Sequence, residues 1–265
     1  MNRRDALLLA GSALTLPLIA RAQVLDLNDA INKAGRQRML SQRMAKAYAS
    51  LGQGVVTDLA GEVLATSMAL FDRQLVELKA FAPTAEIKRC YAELEAAWGG
   101  YKTALVGAKP ARERAPEVFG AAGGVLKLAH QGTALLEQHS GKPLGRLVNI
   151  AGRQRMLSQR MAAFYLGASW GVDAAESTKE LAKARNEFVD AHRLLASAAE
   201  ATAPIREQLV QADQQFVFFD TALRNLRPGQ SDTRLMANVF TTSERILQVM
   251  DGVTGLFSKQ GHYAS

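Results

Sequence analysis

The chain has 265 residues, 48% of them hydrophobic and 22% charged, with 32 Lys and Arg against 25 Asp and Glu for a net charge of +7. That charged fraction excludes a polytopic membrane protein, and the apolar fraction excludes a disordered chain. A single cysteine, Cys90, excludes a disulfide framework, a cysteine zinc site and a CxxCH haem attachment, while 6% aromatics and seven prolines favour helices over strands.

Residues 1–22, MNRRDALLLAGSALTLPLIARA, have the form of an export signal: a basic start, an apolar run from Ala6 to Ala20, and Ala20-Arg21-Ala22 as a cleavage pattern. The run is short for a membrane span of roughly 20 residues. Arg3-Arg4 ahead of Leu7-Leu8 matches a twin-arginine signal; an uncleaved anchor is the competing reading. No cysteine follows the run, which argues against a lipoprotein. Cleavage after Ala22 leaves 243 residues at +5. The expected compartment is the periplasm of a Gram-negative bacterium, where nucleic acid is not a partner despite the basic charge.

Helical stretches are expected in the order 26–51, 55–81, 84–107 and 114–139, then 144–169, 173–201, 204–226 and 232–259. Breaks at Gly52-Gln53-Gly54, Ala82-Pro83, Gly107 to Pro116, Gly171, Pro204 and Pro228-Gly229 separate them. Thr84 and Asp173 are the expected N-caps. The first and fifth stretches share one segment. Asn32 to Ala45, NKAGRQRMLSQRMA, recurs as Asn149 to Ala162, NIAGRQRMLSQRMA, with 13 of 14 positions identical at an offset of 117. Weaker matches continue downstream: Phe71 with Phe188 at 117, Tyr101 to Leu105 with Phe219 to Leu223 at 118, and Val118-Phe119 with Val239-Phe240 at 121. The fold class is therefore all-α, two tandem up-and-down four-helix-bundle modules over 23–140 and 141–265, related by an internal repeat.

At about 100° per residue, Leu40, Met44, Ala47 and Leu51 form an ordinary core stripe on the repeated helix. The opposite face carries Ile31, Ala34, Gly35, Arg38, Gln42, Ala45 and Ala49, echoed in the second copy by Ala151, Gly152, Arg155, Gln159 and Ala162. Small residues permit close helix approach, and an arginine in such a seam needs an anion. If the modules face each other about a pseudo-two-fold axis, Arg38 and Arg155 meet and a small anion relieves their repulsion. Asp29 is the only carboxylate between Leu27 and Leu51, so a counter-ion must come from other helices, such as from Asp72 or Glu77. The opposing reading has Arg36, Arg38 and Arg43 solvated or salt-bridged to the second helix. The retained Arg, Gln and Ser identities favour the anion, since packing alone tolerates exchange.

The segment Asn32 to Ala45 resembles the signature of the PilJ-type sensor domain, the periplasmic helical domain of type IV pilus methyl-accepting chemotaxis transducers. Through Asn32, Lys33, Ala34, Gly35, Arg38 and Met39 it is also similar to the periplasmic box of NarX-type nitrate-sensing kinases. That resemblance implies a four-helix bundle that holds an anion with the arginine before the methionine. By position this carries to Arg38, with Gly35 and Lys33 nearby, and to Arg155 with Gly152; Ile150 stands where the second lysine would be. The Arg-Gln before each key arginine follows the pilus-transducer pattern more than the kinase one.

No enzymatic constellation is expected. His130, His139, His192 and His262 form no zinc or di-iron pairing, and no GxSxG, phosphate loop or dinucleotide fingerprint occurs. The four methionines of the repeat serve as gap-fillers, and Trp98 and Trp170 as anchors. No second span, kinase core or methyl-accepting coiled coil follows the second module, so a sensing role requires a partner. The expected protein is a non-enzymatic periplasmic binding or sensor-type protein with no cofactor and no metal. Its ligand is a small oxyanion, nitrate- or nitrite-like, held by Arg38, Arg155, Gly35, Gly152, Lys33, Gln42 and Gln159. A homodimer is the candidate assembly. The alternative is a helical interaction module that docks onto a membrane receptor or transporter and binds no small molecule.

Overall fold

The computed structural model describes residues 23–260. The export signal assigned to residues 1–22 lies outside the described residues. Those described form eight α-helices and one 3-10 turn, with no strand: α1 Leu27–Gly52, α2 Thr57–Phe81, α3 Ala85–Val106, α4 Ala115–Ser140, α5 Pro143–Ser169, α6 Ala174–Ser197, α7 Ala203–Arg224 and α8 Thr233–Gln260. No helix among them is long and apolar enough to cross a membrane.

Seven of the eight follow the expected spans closely. The sixth does not: α6 stops at Ser197 because Ala198 turns to extended backbone (ψ 137°) and Ala201 is buried ahead of Pro204. Thr84 caps α3 as expected, its hydroxyl accepting from Ile87 N at 3.2 Å. Asp173 does not cap α6 with its side chain. It sits in the left-handed region at φ 41°, as Val56 does at the matching position before α2. In both places the preceding valine, Val55 or Val172, is buried, and the turn that buries it leaves the next residue left-handed.

Helices α1 to α4 close one four-helix ring and α5 to α8 another, with each module's first helix packed on its last. The aromatic cores repeat too. Phe71 stacks on Trp98 with centroids 4.2 Å apart, and Phe188 on Phe216 at 4.5 Å. The most extensive helix contact, however, runs between modules, along α1 and α5. Placed there, α1 has no solvent side: 20 of its 26 residues are buried, against five in α6. A helix covered on all sides cannot shed its polar groups to water, so each must find a partner inside.

Candidate functional site

The two repeated helices cross at Gly35 and Gly152. A Cβ added at Gly35 would lie 3.7 Å from the Gly152 Cα, 3.2 Å from Arg38 Nη2 and 3.4 Å from Arg155 Nη2. One added at Gly152 would lie 3.8 Å from the Gly35 Cα, 3.1 Å from Arg155 Nη2 and 3.6 Å from Arg38 Nη2. The absent side chains are thus what lets both guanidinium groups enter the crossing. Arg38 and Arg155 are each fully buried. Each reaches across the seam: Arg38 Nη2 donates to Asn149 O at 3.1 Å, and Arg155 Nη2 to Asn32 O at 3.0 Å. The Nε of each is buried without a partner.

The rest of the repeated polar set makes hydrogen bonds within the fold, and Gln42 Oε1 also accepts from Arg160 Nη1 at 3.0 Å. Gln37 and Gln154 donate to Phe71 O and Phe188 O, tying α1 to α2 and α5 to α6. Ser41 and Ser158 donate to the carbonyls of Arg38 and Arg155 at 2.8 Å. Gln42 and Gln159, expected at the ligand, instead donate to those serines and to Ala122 O at 3.4 Å and Ser243 O at 2.9 Å. The identities retained between copies are therefore explained largely by buried donors finding carbonyls. Lys33 also leaves the crossing. Its Nζ pairs with Glu77 at 2.8 Å and Asp29 at 3.1 Å, which accounts for its loss in the second copy at little cost to the seam. Asp72, the other expected counter-ion, accepts from Trp98 and Lys102.

The internal counter-ion comes from helices that the expectation did not name. Arg155 Nη1 donates to the Asp251 carboxylate of α8, and Arg36 Nη2 donates to the same oxygen at 2.8 Å. One double turn earlier on α8, Glu244 takes Arg43 in a two-point bond and Lys46 at 2.6 Å. Arg36 and Arg43 are thus neither solvated nor paired with a carboxylate of α2; they brace the first module onto α8 of the second. Burial opposes ionisation of both acids, yet Arg155 and Arg36 hold Asp251 down at about 2, and Lys46 and Arg43 hold Glu244 at about 2.

The pseudo-symmetric positions on α4 carry no acid. Ala122 and Ser243 receive the equivalent glutamine bonds, which sets α4 against α8 at an offset of 121. His130 then stands where α8 has Asp251, and Gly123 where it has Glu244. The cations still arrive. Arg38 Nη1 and Arg153 Nη1 lie 3.3 and 3.4 Å from His130 Nδ1, as Arg155 and Arg36 lie around Asp251. Arg153 and Arg160 have turned to Glu187 and Glu180 of α6, acids whose counterparts on α2 are Leu70 and Val63. Arg38 has no carboxylate of its own. Burial, then Arg153 and Arg155, press its guanidinium down to about 9 against the weaker pull of Glu137 and Glu187; burial lowers Arg155 to about 10 against the opposing pull of Asp251. Partial burial and the two arginines also push His130 below its ordinary range, so it presents a neutral ring to them.

A cleft of about 220 Å³ opens at this place. Arg38, Arg153 and His130 line it together with the apolar Leu126, Met156, Leu157 and Ala184, the cations Lys127, Arg160 and Lys183, and the carboxylates Glu180 and Glu187 that pair with Arg160 and Arg153. His130 is the functional candidate that sequence reasoning missed. Its signal was available in the Val118/Val239 register, which places His130 opposite Asp251 when continued down the helix.

Neither a curated protein nor a solved structure matches this chain. One family does: the Type IV pili methyl-accepting chemotaxis transducer N-term family, PilJ, matches residues 20–117 and 139–216. Those segments hold both arginine-bearing helices, whereas α8 and nearly all of α4, the helices that differ in their acids, lie outside them. Sensor domains of this family are periplasmic and non-catalytic. With about two-thirds of its length matched in two successive segments, the chain belongs to the PilJ family.

Proposed function

We propose that this protein is a periplasmic sensor-type binding protein that takes up one small oxyanion per chain, nitrate- or nitrite-like, on the Arg38 side of the seam between its repeated helices. One observation carries this reading: two pseudo-equivalent buried arginines share a crossing, and only Arg155 has a carboxylate. A guanidinium taken from water demands a counter-charge, and its planar fork matches a planar trigonal anion. The expected ligand set contracts to Arg38, with Arg153 and His130 added, while Gly35 and Gly152 make the room. Arg155 holds the opposite side through Asp251. The anion would touch α4 and both seam helices, α1 and α5, and so bias how the modules 23–140 and 141–265 sit on each other. Export by the twin-arginine signal of residues 1–22 belongs to the same reading.

Isothermal titration of the exported chain with nitrate, nitrite, sulfate and acetate tests it. The reading expects one site per chain, weakened at least tenfold in Arg153→Ala, a partly exposed residue whose loss the fold tolerates. No binding by any of the four anions overturns it. The docking alternative has one observation in its favour: α7 exposes Val210, Val217 and Phe218, the last 72% accessible. Flat titrations together with capture of a membrane receptor or transporter, lost in Phe218→Ser, would select that alternative. A homodimer held by the same face would show as a mass change in the same variant.

A further inference from the structure

The cleft beside Arg38 extends past the arginines onto apolar side chains. In the other half of the seam the same two positions hold carboxylates on side chains: Asp251 between Arg155 and Arg36, and Glu244 on Arg43 and Lys46. On α4 their places are taken by His130 and by Gly123, which has no side chain at all. The two positions are seven residues apart, about 10.5 Å along a helix. Only the Gly123 position lacks a side chain; the His130 ring fills the other, so the cleft extends from the arginines and His130 towards Gly123. At one end stand the Arg38 and Arg153 guanidinium groups; along its length run Leu126, Met156, Leu157 and Ala184, of which Met156, Leu157 and Ala184 are buried. A nitrate at the arginines would leave the half-buried Leu126 uncovered. An anion with a carbon tail would cover it.

We infer that the same site also takes small organic carboxylates, and holds those with a short carbon tail more tightly than a bare oxyanion. The ligand's carboxylate meets Arg38 and Arg153 beside the His130 ring that stands at the Asp251 position, and its short aliphatic tail lies on Leu126, Met156, Leu157 and Ala184. This rests on the anion-binding reading given above and names the ligand class. The volume, about 220 Å³, lies below the range of about 300–1,000 Å³ typical of drug-sized ligands, so the acid is short. The ligand replaces an internal ion pair: it supplies the carboxylate that the first module lacks and completes the pseudo-symmetry of the seam. The lining sets Arg38, Arg153, Arg160, Lys127 and Lys183 against Glu180 and Glu187, and that excess of positive charge favours anions over neutral molecules of the same shape.

The test is a titration series of acetate, propionate, butyrate and pentanoate, with nitrate alongside, on the full exported chain. Affinity is expected to rise about fourfold for each added methylene until the wall is covered. Leu126→Asn should flatten that rise and leave acetate within twofold of wild type. His130→Asp, which installs the missing carboxylate, should weaken every anion at least tenfold while the protein stays folded. Nitrate binding with no gain along the carboxylate series would overturn this inference and leave the oxyanion reading standing. Absence of binding by nitrate and by every carboxylate would overturn both. A chain-length gain that persists undiminished in His130→Asp would place the acid elsewhere and also overturn the assignment.

Discussion

The two sides of the α1–α5 seam carry the same arginines and different answers to them. Towards α8, Arg155 and Arg36 close on Asp251, and Arg43 and Lys46 close on Glu244, so the cations are neutralised across the module boundary. Towards α4, Arg38 and Arg153 close on a neutral imidazole, and Arg153 and Arg160 draw their acids from α6 of their own module. Duplication preserved the cationic helix almost letter for letter, while the helices facing it diverged. One side is an internal salt-bridge lock. The other is the same lock with its central acid removed, and that is where a cleft has opened.

The largest expected difference between the sides is in stability. Asp251→Ala leaves Arg155 buried with no counter-charge and should cost about 3–5 kcal/mol. His130→Ala removes only a neutral acceptor and should cost under about 1 kcal/mol. Thermal unfolding resolves the two, at about 2–4 °C for each kcal/mol in a chain of this size. Equal losses would mean that the seam does not distinguish its halves.

An intermediate effect is expected at the crossing. Gly35→Ala and Gly152→Ala each place a methyl within 3.2 Å of an arginine Nη2 and beside the facing helix, so each should cost about 1–3 kcal/mol by overpacking. Gly35→Ala crowds Arg38 and should also weaken anion binding severalfold. Urea denaturation and anion titration of the pair would check this; unchanged stability in both would mean that the helices do not meet there.

The smallest effect is the most specific to the α4 side. His130 faces Arg38 from α1, Arg153 from α5, Glu187 from α6 and Glu137 on its own helix; partial burial first, then the two arginines, depress its protonation against the opposing pull of the glutamates. A bound anion opposes that depression, so binding takes up a proton. Nitrate affinity should rise as pH falls below the ordinary histidine value of 6.5, by at most about tenfold per unit. The same sign applies to stability without anion. The unfolded chain binds the proton more readily, so the fold loses stability as pH drops from 6.5 towards the lowered value. Both trends should vanish in His130→Asn, as calorimetry in buffers of different ionisation heat would show.

Much of this arrangement was legible before any coordinates. The repeat, the eight helices and the convergence of Arg38 with Arg155 follow from an identical segment on a helix whose small-residue face invites close packing. The opposing acids were not legible. Asp251 lies 96 residues from Arg155 and His130 lies 92 from Arg38, on helices whose similarity has faded. The connections between helices also differ in length, which moves the register from 117 to 121 along the chain. The retained glutamines and serines also have a structural account: a helix buried on every side needs those donors for neighbouring carbonyls, as Gln42 and Gln159 show. Lys33 illustrates the converse: present in one copy only, it serves Glu77 and Asp29 at the edge of the first module.

The central claim is that one side of a duplicated seam holds an anion because the other side supplies its own. Crystals of the exported protein soaked in bromide test this most directly, since anomalous scattering locates the ion without reference to chain tracing. The account predicts a bromide peak between Arg38, Arg153 and His130 and none between Arg155, Arg36 and Asp251. Peaks of equal height on both sides, a peak on the Asp251 side alone, or no peak at either place would contradict it.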